Sequence, residues 1–121
     1  MKEMMEMMSS VTNEFGITIE KYEDGARLVI PTIKDGNVFC WIRLKDIPKV
    51  RNEKLAVIYR NKRFMIVKHF TDGTNSQCEQ MLLELILGKG KGRSTLMPIV
   101  ETPLTFDIRK LCNMIELNNM T

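Results

Sequence analysis

Apolar positions along this chain alternate through the middle and cluster at helical spacing near both ends. Met4, Met5, Met7, Met8, Val11 and Phe15 fall near a helical period, which predicts a helix over Lys2–Glu14 stopped by Gly16. Alternation in Ile17–Glu20, a turn at Glu23-Asp24-Gly25 and the run Arg27–Pro31 predict a hairpin. Val38–Arg43 is rich in aromatic and branched residues and reads as a strand near the sheet centre, with Trp41 assigned to the core. Leu44–Val50, holding Asp46 and Pro48, reads as a loop or short helical turn.

Leu55–Tyr59 and Phe64–Val67 flank Arg60-Asn61-Lys62-Arg63, the sharpest hairpin signal in the chain. After Thr71-Asp72-Gly73, Thr74 or Asn75 is placed to cap a helix running through Leu87, whose run Met81–Leu87 is too apolar for a lone surface helix. Gly88 ends it. Lys89–Thr95 follows as a cationic, glycine-rich loop, and Thr105 is the expected N-cap of a final helix through Glu116. The expected fold is therefore one α+β domain over residues 1–121: an N-terminal helix, a mainly antiparallel sheet of about five strands, and two C-terminal helices.

Length and charge narrow the function. The 121 residues suffice for one modest core. Glu3 and Glu6 break the apolar N-terminus, which argues against a signal or membrane segment, and Cys40, Cys78 and Cys112 show no paired spacing. A reducing cytoplasm is expected. His69 is the one histidine and reads as an ordinary strand-end residue, so no catalytic residue and no metal ligand is assigned, nor any cofactor. The formal charge is only +3, but acids dominate Met1–Asp24 and bases dominate Trp41–Arg93. Such asymmetry fits an anionic ligand, or contact between acidic and basic parts of neighbouring subunits.

The candidate ligand residues follow from phosphate, base and ribose chemistry. Arg109, Arg60, Arg63 and Arg93 offer guanidinium groups to phosphate. Phe70, Tyr59 and Trp41 offer aromatic faces; Asn75, Asn113, Ser94 and Thr95 offer amides and hydroxyls. Arg109 leads, because it follows Asp107 in the first turn of the final helix, where open N–H groups favour an anion.

Two resemblances add to this reading. Leu83–Gly88, Lys91-Gly92, Asp107-Ile108-Arg109-Lys110 and Asn113-Met114-Ile115 follow the order of the phage HNH endonuclease module. The histidines that module carries near Leu83 and around Ile99 are missing, which implies a degenerate, nucleic-acid-binding relative without nuclease activity. The whole chain, in size, strand-rich middle and basic C-terminal helix, is similar to the small phage proteins that counter the Thoeris defence system by sequestering its cyclic ADP-ribose signal. That resemblance implies a non-catalytic sponge for cyclic nucleotide immune signals, possessing no enzyme activity, working in the host cytoplasm and assembling as a dimer or hexamer. Met4, Met5 and Met8 are the expected subunit contacts.

Overall fold

The computed structural model describes residues 6–71, 73–74, 77–91 and 96–120. Among the described residues nine strands lie in two sheets, accompanied by three short helices, giving a mixed α+β architecture. The larger sheet begins with β1 (Ser9–Thr12), β2 (Thr18–Lys21), β3 (Ala26–Thr32) and β4 (Gly36–Ile42), each antiparallel to the one before. A 3-10 turn (Leu44–Asp46) and α1 (Ile47–Val50) lead into the smaller sheet. That sheet is the antiparallel meander β5 (Leu55–Arg60), β6 (Arg63–Thr71) and β7 (Gln77–Met81). The chain then runs through α2 (Leu82–Leu87), β8 (Val100–Glu101), β9 (Leu104–Asp107) and α3 (Arg109–Asn118). β9 returns to lie parallel to β4, and β8 completes the larger sheet in the order β1-β2-β3-β4-β9-β8.

Strict alternation builds the core. Ala26, Leu28 and Ile30 on β3, and Val38, Cys40 and Ile42 on β4, all turn to one face and are fully buried. Leu55 and Ile66 of the smaller sheet, Leu82, Leu83 and Ile86 of α2, and Cys112 of α3 close over that face in one continuous core. Each fully buried Leu or Ile contributes about 1.5–3 kcal/mol relative to exposure, so the apolar face decides which way every strand turns.

Four expectations need correction. Ser9–Thr12 is a strand, not part of a helix: it pairs with β2, and Thr12 Oγ1 lies 2.8 Å from Thr18 Oγ1. Asn13 Oδ1 accepts from the backbone N–H of Phe15 and Ile17, and Gly16 sits at positive φ, so residues read as a helix end instead make a hairpin turn. Gln77–Met81 is likewise a strand, because it completes the edge of β6, and only Leu82–Leu87 is helical before Gly88 ends it. Thr105 is no helix cap. It lies inside β9, its hydroxyl donating to Pro103 O at 2.8 Å, and the final helix starts at Arg109. The single sheet of about five strands is two sheets, of six and three. The hairpin at Leu55–Val67 stands as expected, its two-residue turn at Asn61-Lys62 holding both residues at positive φ.

The same amide that shapes the first turn also reaches the other sheet. Asn13 Nδ2 donates to Arg51 O and Glu53 O, at 3.1 and 3.0 Å, just ahead of β5.

Candidate functional site

The alternation that buries one face of the larger sheet sends Glu20, Arg27, Phe39, Trp41 and Asp107 to the other, solvent-facing side. Register then decides who meets whom. Arg27 stands opposite Glu20 on one side and Trp41 on the other, and Trp41 stands beside Asp107. The Arg27 guanidinium lies 4.4 Å from the centre of the Phe39 ring and 5.9 Å from that of Trp41. Its Nε donates to Glu20 Oε1 at 2.7 Å, and Tyr22 OH donates to the same oxygen at 3.1 Å. The Tyr22 ring packs on Trp41 with 5.1 Å between ring centres.

Arg109 closes the other end of this array. Its Nε and Nη2 clasp Asp107 Oδ1 and Oδ2 at 3.0 and 2.7 Å, Nη1 donates to Asp24 O at 3.3 Å, and the guanidinium lies 4.9 Å from the Trp41 ring centre. Gly25 leaves room for it: a Cβ there would stand 2.7 Å from Arg109 Nη1. Burial raises the Asp107 pKa, but the bonds and charge of Arg109 outweigh it, so the carboxyl titrates below its ordinary range. The Tyr22 hydroxyl is pushed up, first by burial and then by its bond to Glu20. The result is two guanidinium planes, two aromatic rings and a tyrosine on one open sheet face.

This arrangement can stack planar rings and attract an anion. Arg27 retains both terminal nitrogens without a hydrogen bond among the described residues, whereas Arg109 has three nitrogens engaged. Comparison with family models, curated proteins and solved structures found no match to this chain. The array therefore stands on its own chemistry.

The residues singled out from the sequence do not gather in one place. Arg60 and Arg63 flank the exposed turn of the smaller sheet, Arg60 reaching Glu79 at 3.5 Å. Phe70 is at the far end of β6, with Lys68 Nζ 5.5 Å from its ring centre. Asn113 lies one turn after Arg109 on α3, but its Oδ1 accepts from Arg43 Nη1 at 2.9 Å. Arg93, Ser94, Thr95 and Asn75 lie outside the described residues, as do Met4 and Met5. Of the candidates, only Arg109, Trp41 and, one turn along the helix, Asn113 belong to the same end of the larger sheet. Arg27, Phe39 and Tyr22 were missed. Period-two alternation in Arg27–Ile30 and Val38–Trp41 carried the signal, since it puts Arg27, Phe39 and Trp41 on one face.

Arg43 is a separate case of a cation already matched. Its side chain is 9% exposed, its Nε donates to the fully buried Asp46 at 2.7 Å, and Nη1 also bonds Glu116. Opposite the aromatic array, between β5 and the turns at Pro31–Asp35 and Glu101–Leu104, lies a cleft of about 1030 Å³. Among the described residues no group of three or more His, Cys, Asp or Glu side chains is placed to hold a metal ion, and no helix is long and apolar enough to cross a membrane.

Proposed function

We propose that this protein is a non-catalytic binder of a cyclic nucleotide, held on the open face of the larger sheet, and that it acts as a sponge for such a signal. The observation that carries the reading is Trp41 with Arg27 and Arg109 over its ring and Phe39 and Tyr22 beside it. A base stacks on that aromatic and guanidinium surface, and the terminal nitrogens of Arg27 take the phosphate. Arg109 positions Trp41 and Asp107 in place of leading the phosphate contact. Binding without turnover is part of the same proposal, supported by Asp107, which Arg109 clasps and holds below its ordinary range, where a carboxylate is a weak base. Cyclic ADP-ribose isomers come first, then cyclic oligonucleotides; the assembly into a dimer or hexamer belongs to the same proposal.

Trp41 is the one tryptophan of the chain, so its fluorescence reports directly on the site. Titration with cyclic ADP-ribose isomers and cyclic dinucleotides should quench it, and ligand released by heating should be chemically unchanged by mass spectrometry. Arg27→Ala should weaken binding by about 1.5–3 kcal/mol, tenfold or more, as a charge-assisted contact to phosphate is lost. A hydrolysed product, or tight binding that leaves Trp41 fluorescence untouched, would overturn the proposal.

A further inference from the structure

The geometry points to the outer edge of β5 as a docking site for an extended protein segment that adds as a fourth strand to the smaller sheet and carries acidic residues at both ends. Backbone direction fixes which groups are on offer. Lys54 O accepts from His69 N at 3.2 Å, and the two-residue turn closes Arg60 against Arg63, so the even-numbered residues of β5 face β6. Leu55, Val57 and Tyr59 therefore turn their N–H and C=O groups the other way. Among the described residues no strand meets them there, because β5 ends the three-stranded sheet.

That edge opens on the cleft. Leu55, Ala56 and Val57 all border it, although neighbours in a strand point to opposite faces, so the cleft meets β5 edge-on rather than along one face. Apolar side chains around it are exposed: Phe15 is 42% exposed, Tyr59 57% although its ring packs on Phe64, and Ile33, at a turn tip, wholly exposed. Proteins ordinarily guard such edges with short strands, prolines or charges. Here β8 has two residues between Pro98 and Pro103, and β1 has four mainly polar ones. β5 is longer than either, apolar through Leu55–Ile58, and without a proline or a bulge in its ladder.

Charge chooses the occupant. Lys54 stands at one end of the edge and Lys62 and Arg63 at the other, all exposed, and none is in an ion pair among the described residues. A second copy pairing antiparallel about Val57 would set Lys54 against Arg60 of its partner at both ends, which like-charge repulsion opposes. A foreign strand with a carboxylate at each end matches instead. Its central five residues would span about 17 Å, the length of Leu55–Tyr59.

The test uses the full chain and synthetic heptapeptides with alternating Val and Thr in the central five positions. Fluorescence polarisation should show the Glu-ended peptide binding at least tenfold tighter than the Lys-ended one. The Glu-ended peptide methylated on its central backbone nitrogens should lose binding. Hydrogen exchange should show the amides of Leu55, Val57 and Tyr59 gaining protection on binding. Equal binding of the methylated peptide, protection that falls elsewhere, or no binding of the Glu-ended peptide at millimolar concentration would overturn the proposal. So would protection of the same three amides that rises with protein concentration alone, alongside a dimeric mass, since that outcome assigns the edge to a second copy. Trp41 fluorescence is on the opposite sheet face and separates these results from nucleotide binding.

Discussion

The two sheets dispose of their charges differently. On the larger sheet the arginines are matched: Arg27 with Glu20, Arg109 with Asp107, and Arg43 with Asp46 and Glu116 just beyond β4. On the smaller sheet Arg60 and Lys68 are paired with Glu79 and Glu53, but the cations of the turn, Lys62 and Arg63, stand in water, and the β5 edge meets no further strand among the described residues. Matching fixes a surface in one conformation, which suits recognition of a small rigid ligand. Unmatched charge beside an open edge suits a partner that arrives with its own shape and complementary ends.

The largest expected break in this contrast is Arg43→Ala against Arg63→Ala. Among the described residues, removing Arg43 leaves the buried Asp46 with Lys49, 3.5 Å away, as its remaining cation, so the variant should lose about 3–5 kcal/mol of stability. Arg63→Ala, on an exposed turn, should change stability by no more than about 0.5 kcal/mol. Urea denaturation of both variants checks the pair, and equal losses would erase the distinction between the sheets.

A smaller effect is expected from acid. Because the folded state holds Asp107 below its ordinary value of about 3.9, its contribution is complete above that pH and is lost as pH falls through the lower, folded value. Asp107→Asn should cost about 1 kcal/mol at neutral pH, and the gap to wild type should close as the solution is acidified. Thermal melts from pH 7 down to pH 2 would show it. A gap that stays constant would mean that the carboxylate charge is not what Arg109 holds.

The mildest comparison is chemical. Cys40 lies fully buried on the larger sheet and burial pushes its thiol well up, while Cys112 on α3 is pushed up to about 11, chiefly by burial. Cys78, on β7 of the smaller sheet, is only half-buried. Alkylation of the native protein should therefore modify Cys78 roughly a hundredfold faster than the other two, with urea removing the difference. Peptide mapping by mass spectrometry reads it, and fast labelling of Cys40 would show that the larger sheet opens more readily than its packing implies.

What could be read from the sequence was whatever is decided locally. The Leu55–Val67 hairpin carries its own turn and its own alternation, and Leu82–Leu87 carries both its apolar run and the glycine that ends it. Ser9–Thr12, Gln77–Met81 and Leu104–Asp107 are different, because each becomes a strand by completing a neighbour's edge, and β9 takes its edge from β4, far earlier in the chain. The site divides the same way. Arg109 was singled out from its place after Asp107, but Trp41 and Asp24, which it also touches, come from distant parts of the chain. Trp41 was assigned to the core when it is half-buried on the outer face, since counting aromatic residues does not say which way a strand is turned.

Asn13 ties these regions together with a single amide. Its oxygen shapes the first turn of the larger sheet, and its nitrogen grips the two carbonyls that deliver the chain into β5. The side chain thus works as a cross-brace between the walls of the cleft. Any widening of that cleft to admit a fourth strand has to stretch this brace or swing both walls with it, so the gap between the sheets and the shape of a turn nearly forty residues upstream are one mechanical variable.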